Sequence, residues 1–261
     1  MNPEIRAAEG SEGGHWYIPG NPVQCAYEIK GANGKWRAPT IRDARKYGWV
    51  PGITTICRMA AQPGLERWKV RQGILSALTH PEIHQITDAD QIIRMIELDS
   101  KEQAKQAALE GTAIHKAIED FFSTRYVDAK YQPQILGVRE TLMDLCGIDD
   151  PDAWQTEVAC THPLGFGSRV DLYSTTFGMV VDFKGKEFGP NDEVKGWPEQ
   201  AQQLAAGREM ILPGARCVNL FISRNNPGLV KAYEWSEKDL QKGWREFQAL
   251  LEFWKVRNGI E

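Results

Sequence analysis

The apolar run at 180–184 carries two charged residues, Asp182 and Lys184, two positions apart. Because side chains alternate along a β-strand, these two point to one face of a sheet and Phe183 points to the other. Charged groups are costly to bury unless they are paired or bind a metal. Asp171 lies in a second strand-like segment. Two carboxylates and one lysine on two strands predict a metal site with a positioned cationic side chain. The alternative is a buried Asp–Lys ion pair with the second aspartate in a solvated turn.

A second group of polar residues has helical spacing. His115 and Glu119 are four residues apart, so on a helix they share one face. A single histidine is more often structural than a metal ligand, and the spacing alone leaves both roles open. Gly111 lies one turn earlier, where it costs about 1 kcal/mol relative to alanine inside a helix. We expect a reason for it, such as the close approach of another backbone or a junction between two helices.

The elements that would position these residues form an alternating pattern after residue 130. Apolar periodicity, turn residues and caps predict a helix at 131–147, strands at 157–160, 169–173 and 179–184, a helix at 198–211, a strand at 217–222 with a hairpin partner at 229–235, and a last helix capped by Ser236. Helices among strands predict an α/β fold with a central mixed sheet.

The first half of the chain has a different pattern of predicted elements. Residues 1–14 are small, polar and glycine-rich, which predicts disorder. Short strands and turns follow to residue 50, including an Asn33–Gly34 hairpin signal, and Thr40 caps a helix at 41–47. Helices are then predicted at 64–79, from Thr87 or Asp88 to 98, and at 100–122. The predicted organisation is an N-terminal arm and helical cap at 15–100 and a core at 101–261, together forming one compact unit.

Composition limits the classes of function. The 261 residues carry a formal net charge of −4, so any contact with nucleic acid must use locally gathered basic residues. Five cysteines without a C-x-x-C pair argue against a zinc ribbon or a disulfide framework and fit a reducing compartment. No apolar run approaches the ~18 residues of a membrane helix, and the N-terminus does not resemble a signal peptide. We therefore expect a cytoplasmic protein without a membrane partner.

Taken in order, these residues resemble the motifs of RecB-like nucleases, a branch of the PD-(D/E)XK superfamily that includes many phage exonucleases. The matching motifs are Gly111-Thr112-x-x-His115-x-x-x-Glu119, Glu157, Gly167-x-x-x-Asp171, Asp182-x-Lys184 and Gln203-Leu204-Ala205-Ala206. The resemblance spans residues 111–222, and the order of the motifs is more specific than any one of them. The segment at 50–56 also resembles a stretch near the start of some phage and mitochondrial members, with Gly52 in place of the usual serine.

The resemblance implies a restriction-endonuclease-like core and a role for each matching residue. Mg²⁺ or Mn²⁺ would be held by His115, Asp171, Asp182 and the backbone carbonyl of Phe183. Lys184 would orient or deprotonate the attacking water. Glu119 and Glu157 would act behind the metal ligands or through metal-bound water, and Gln203 would hold the nucleic acid. This agrees with the chemistry, since a hard cation on oxygen ligands acidifies water and binds the scissile phosphate, and a histidine ligand tolerates Mn²⁺.

Two positions depart from the family pattern. Gly207 stands where the last motif often has tyrosine, which removes an aromatic group near the substrate, and Gly185 replaces a small polar residue after the lysine. Some relatives hold an iron–sulfur cluster with three late cysteines. Here Cys217 is the single late cysteine, so no such cluster is expected.

The implied function is a metal-dependent DNA nuclease. An exonuclease acting on DNA ends or single strands in phage recombination or DNA processing is favoured, in a bacterial host cell and encoded by a phage or prophage. Arg169, Lys186 and Arg224, together with Gln203, are the predicted substrate-binding residues. A structure-specific endonuclease and a catalytically weak protein that binds DNA ends are the alternatives. A recombination partner such as an annealing protein, and a homo-oligomer, are left open.

Overall fold

The protein, seen in a computed structural model, is described at residues 3–6, 16–31, 33–60, 63–80, 83 and 85–260. The chain divides into two compact units. One joins Met1–Ala60 to Ile114–Glu261, and the other is Ala61–Ala113. The domain boundary predicted at residue 100 lies within the second unit. No helix in the described ranges is long and apolar enough to cross a membrane.

The described residues form helices and short strands in the first half of the chain, and alternating helices and longer strands in the second half. The helices are α1 (Ile41–Tyr47), α2 (Ile53–Cys57), α3 (Pro63–Thr79), α4 (Ala89–Thr124), α5 (Gln132–Cys146), α6 (Pro198–Ile211) and α7 (Glu237–Asn258). The strands are β1 (Ile5–Arg6), β2 (Trp16–Ile18), β3 (Gln24–Ala26), β4 (Glu28–Lys30), β5 (Trp36–Arg37), β6 (Val50–Pro51), β7 (Gln155–His162), β8 (Phe166–Ser174), β9 (Met179–Lys186), β10 (Arg216–Ser223) and β11 (Val230–Glu234).

The central sheet has five strands in the order β11-β10-β9-β8-β7. β9 and β10 are parallel, whereas the other neighbours are antiparallel. Parallel strands need a crossover, and α6 supplies it by leaving the end of β9 and returning to the start of β10. The predicted α/β class, with a central mixed sheet flanked by helices, is confirmed.

Helix α6 lies against the sheet and against α7. It begins at Pro198, where the fixed φ of proline suits the first helical turn, and the Gln200 side chain accepts a hydrogen bond from the Trp197 backbone N–H. α7 approaches closely because Gly243 has no side chain: a Cβ there would lie 2.9 Å from the Ala201 backbone. Buried residues of α6 pack on Val170 and Val180 of the sheet. The sheet and α7 therefore hold α6 from two sides.

Short strands of the N-terminal region adjoin the same sheet. β2 pairs with β3 and β6, and β4 pairs with β1 and β5. Gly52 forms a parallel bridge to Gly167, which ties the segment at 50–56 to β8. A Cβ on Gly167 would lie 2.6 Å from the Tyr17 ring, so glycine is required there. Ile5–Arg6 is paired although residues 1–14 were expected to be disordered; residues 1, 2 and 7–14 lie outside the described ranges.

Helix α4 corrects one prediction. The sequence was expected to form two helices, broken near Ser100, but Ala89–Thr124 is a single helix. No proline or glycine interrupts it before Gly111, and side chains four residues apart, such as Lys101 with Glu97, bridge the expected break. Neither reason proposed for Gly111 applies within the described residues, since the helix continues and a Cβ would meet nothing within 4 Å.

Candidate active site

The pairing of β8 with β9 ends immediately before the two aspartates. The paired residues are Leu172–Ser174 with Met179–Val181, so Asp171 and Asp182 follow at the open end of this ladder. Asp171 Oδ2 accepts a hydrogen bond from the Phe183 backbone N–H at 2.9 Å. The carboxylate thus satisfies a backbone donor of β9, and this contact fixes Asp171 beside the second aspartate.

Asp182 and Lys184 form the close pair that their spacing predicts. The Lys184 ammonium lies 2.8 Å from Asp182 Oδ2 and 3.0 Å from Oδ1. Burial raises the pKa of Asp182, with a further upward contribution from Asp171. Burial lowers the pKa of Lys184, but Asp182 and Asp171 outweigh this, and the net shift of its pKa is upward. Lys184 is therefore an ammonium at neutral pH, suited to donating hydrogen bonds and stabilising negative charge.

Helix α6 brings Gln203 to this pair. Its Oε1 accepts a hydrogen bond from the Lys184 ammonium at 3.1 Å. Because α6 is the crossover between β9 and β10, the helix spans the face of the sheet that carries Asp182 and Lys184. The structure thus brings together four of the residues singled out in the sequence, Asp171, Asp182, Lys184 and Gln203.

His115 and Glu119 lie on the first-unit part of α4. His115 Nδ1 is 4.0 Å from Asp171 Oδ2, and the imidazole meets the Phe183 ring edge-on at 5.7 Å. Glu119 pairs with Lys116 at 3.2 Å. His115 therefore borders the two aspartates, while Glu119 pairs within its own helix and lies near enough to Glu157 to contribute to the raised pKa of that carboxyl.

Glu157 occupies a strained position opposite Asp171. The flanking pairs Thr156–Leu172 and Val158–Val170 place it there, and its φ of 52° is left-handed, which is unfavourable for a residue other than glycine. Such strain is often found at functional sites. Burial, and then repulsion by Asp171, raises the pKa of Glu157 to about 7. Its carboxylate pairs with Arg169.

The predicted substrate-binding cations make contacts within the protein. Arg169 pairs with Glu157, and Arg224 lies 3.3 Å from Glu187 with its side chain only 17% exposed. Lys186 lies 5.8 Å from the centre of the Phe221 ring. Contacts of these residues with a phosphate stay a prediction.

Two residues of the site are missed by the sequence analysis. Asn219, on β10, pairs in register with Asp182, and its Nδ2 donates a hydrogen bond to Asp182 Oδ2 at 2.6 Å. The Trp235 indole N–H donates to Asn219 Oδ1 at 2.7 Å. A lone asparagine in the apolar run 217–222 was the available signal, because a buried amide needs polar partners.

The side chains of the site are chemically suited to binding a hard divalent cation. Three carboxyl groups, those of Asp171, Asp182 and Glu157, lie together with the cationic side chains of Lys184 and Arg169. Carboxylate oxygens suit Mg²⁺ and Mn²⁺, and the imidazole of the nearby histidine suits Mn²⁺. Within the described ranges, no three His, Cys, Asp or Glu side chains are already arranged to hold a metal ion. The metal therefore stays a prediction that rests on donor chemistry.

No protein-family model and no curated protein matches the sequence. Among solved structures, the chain is similar to SSO0001, with 13% identity, a TM-score of 0.30, and coverage of 67% of this chain and 70% of that one. It is also similar to an alkaline exonuclease, LHK-Exo from Laribacter hongkongensis, with 15% identity, a TM-score of 0.24, and coverage of 54% and 92%. At these values the similarities carry no inference about activity.

Proposed function

We propose that this protein is a metal-dependent deoxyribonuclease. The observation that carries the proposal is the convergence of Asp171, Asp182, Lys184 and Gln203 from two strands and the crossover helix. Two carboxylates beside an ammonium match what phosphodiester hydrolysis requires, namely a cation site and a positive group near the phosphate. The alternative of an isolated Asp–Lys ion pair does not account for the second aspartate or for the glutamine.

The roles proposed for these residues are those that the resemblance to RecB-like nucleases implies. Asp171 and Asp182 would hold the cation, together with His115 and the Phe183 carbonyl. When bound, Mg²⁺ or Mn²⁺ supplies an acidified water and charge neutralisation at the phosphate. Lys184, an ammonium in these surroundings, would orient the water and stabilise the charge that develops on phosphate oxygens.

The favoured mode is exonucleolytic, on DNA ends or single strands. This choice comes from the resemblance of the ordered motifs to phage exonucleases, as do a role in phage recombination or DNA processing, a recombination partner such as an annealing protein, and a homo-oligomer. A cytoplasmic location is proposed from the cysteine pattern. A structure-specific endonuclease is the alternative that keeps the same site.

A cleavage assay tests the proposal. End-labelled linear single- and double-stranded DNA is incubated beside closed circular DNA with Mn²⁺, Mg²⁺ or EDTA. We expect metal-dependent loss of linear DNA that Asp182→Asn and Lys184→Ala abolish, whereas Lys242→Ala, an exposed lysine on α7, cleaves as wild type does. Cut circles would assign an endonuclease. Near-normal cleavage by purified Lys184→Ala would refute the role of this site.

The binding-protein alternative rests on Gly207, which replaces the aromatic residue common at this position. It requires DNA to bind while its ends stay intact through long incubation with either metal. The complete set of two aspartates and one lysine argues against it, because these are the groups that turnover needs.

A further inference from the structure

Asn219 contacts Asp182 from the neighbouring strand and is itself fully buried. β9 and β10 run parallel with Asn219 opposite Asp182, so both side chains point to the same face of the sheet. The side chain of Asn219 is 0% exposed. A buried amide is costly unless both its donor and its acceptor are satisfied. The contacts of Asn219 therefore account for its presence in an apolar strand.

The partners of Asn219 fix the orientation of its amide. An indole N–H only donates, so the atom facing Trp235 at 2.7 Å must be Oδ1. An ionised carboxylate only accepts, so the atom facing Asp182 at 2.6 Å is Nδ2. Exchange of the two amide atoms would break both bonds. The direction of the chain from Trp235 through Asn219 to Asp182 is thus unambiguous.

The Trp235 indole is held in place by its neighbours. A Cβ on Gly196 would lie 2.3 Å from the indole ring, so the ring is packed directly on the backbone there. The Tyr233 ring meets the indole edge-on at 4.8 Å. A fixed indole fixes the amide, and a fixed amide restricts the carboxylate.

These bonds engage both oxygens of Asp182. Oδ2 accepts a hydrogen bond from Asn219, and Oδ1 accepts one from Lys184, whose ammonium also lies 2.8 Å from Oδ2. Asn219 and Lys184 therefore restrict the orientation of the carboxylate together.

We propose that Asn219 is a positioning residue that orients the Asp182 carboxylate for metal binding, with Trp235 fixing the amide. This inference rests on the proposed metal-dependent function and deepens it. Asn219 touches neither substrate nor cation. It acts through Asp182, as partners of ligating carboxylates commonly do.

Direct Mn²⁺ binding tests this inference without relying on cleavage. The electron paramagnetic resonance signal of free Mn²⁺ gives the affinity of wild type, Asn219→Leu and Trp235→Phe. Trp49→Phe is the matched control, because Trp49 is also buried but its indole N–H bonds to no described residue. Thermal unfolding checks that each variant is folded.

We expect Asn219→Leu to bind Mn²⁺ about 10- to 100-fold more weakly. Trp235→Phe should bind Mn²⁺ about fivefold more weakly, because it removes one hydrogen bond that acts on Asp182 indirectly. Trp49→Phe should bind as wild type does. If Asn219→Leu does not fold, Trp235→Phe decides the question by the same comparison.

Two results would overturn the inference, and they differ in what else they affect. If Asn219→Leu binds Mn²⁺ with wild-type affinity, the positioning role is removed and the nuclease proposal stays intact. If Asn219→Leu does not fold, wild-type Mn²⁺ affinity in Trp235→Phe has the same meaning. Absence of Mn²⁺ binding by wild type removes both.

Discussion

The Lys184 ammonium donates a hydrogen bond to Gln203 Oε1 across 3.1 Å, although the two residues belong to different elements. The same ammonium contacts both oxygens of Asp182. Gln203, on the crossover helix, therefore holds a lysine of the neighbouring strand. The position of the Lys184 ammonium relative to Asp182 thus depends on α6.

This relationship predicts that Gln203→Leu lowers the cleavage rate by about 10- to 100-fold, as loss of a supporting partner commonly does. Steady-state kcat measures the effect. Gln202→Leu is the matched control, because the amide of this adjacent residue donates its hydrogen bond to Glu246 on α7, at 2.9 Å. That control should lower the melting temperature and leave kcat near wild type. An unchanged kcat in Gln203→Leu would show that the contact is dispensable.

Local patterns in the sequence were sufficient for most elements near the site. The five strands predicted after residue 150, the helix at 198–211 and the Ser236 cap are confirmed, because apolar runs, turn residues and caps act over a few positions. The shared face of Asp182 and Lys184 follows from strand alternation alone. The continuity of α4 through Ser100 was not predicted, although polar side chains on an exposed helical face stabilise a helix through pairs four residues apart.

Contacts that depend on strand register could not be predicted from local patterns. Asn219 meets Asp182 because the parallel register of β9 and β10 places them opposite one another, 37 residues apart in sequence. The left-handed backbone of Glu157 and its pairing with Arg169 likewise require the β7–β8 register. Sequence periodicity identifies the face of a strand but not the residue beside it on the next strand.

A second prediction concerns acid stability and lies away from the site. Asp43 accepts from the Arg37 guanidinium at 2.7 and 2.8 Å and from the Thr40 backbone N–H at 2.8 Å. The Arg37 hydrogen bonds lower the pKa of Asp43 well below its usual range. A lowered folded-state pKa adds stability above the unfolded value of about 3.9, and this is lost as the pH falls through the folded-state pKa.

Asp43→Asn should therefore lower the free energy of unfolding by about 2 kcal/mol at pH 7, the scale of hydrogen bonds to a charged group. The difference from wild type should shrink as the pH falls below about 4. Denaturant unfolding between pH 2 and 7 measures it. Glu252→Gln, at an exposed position on α7, is the control and should have the wild-type free energy of unfolding at every pH. A difference that stays constant with pH would mean that the ionised carboxylate is not the source of the stability.

A third prediction compares two glycines inside helices. A Cβ at Gly207 would meet only Val170, at 4.0 Å, whereas a Cβ at Gly243 would lie 2.9 Å from the Ala201 backbone. Gly207→Ala should raise the free energy of unfolding by roughly 0.5–1 kcal/mol through helix propensity. Gly243→Ala should lower it by about 1–3 kcal/mol, because α6 and α7 must separate. Thermal unfolding of both variants is the measurement, and a stabilised Gly243→Ala would contradict the close packing.

The fourth prediction concerns Arg169, one of the predicted substrate-binding residues. Its guanidinium pairs with Glu157, whose side chain is mostly buried opposite Asp171. We therefore expect Arg169 to act by holding Glu157. If so, Arg169→Gln and Glu157→Gln are non-additive in the cleavage rate, because each removes the same contact.

DNA affinity measured against salt concentration in EDTA separates the two roles of Arg169. A phosphate contact contributes about 0.7–0.9 to the slope of log affinity against log salt. Arg169→Gln should keep the wild-type slope, because its charge is already paired with a carboxylate. Lys186→Gln serves for comparison and should reduce the slope if that lysine binds phosphate. A reduced slope in Arg169→Gln, with additive effects on cleavage, would instead place the guanidinium on the DNA backbone and leave Glu157 to be held by the fold alone.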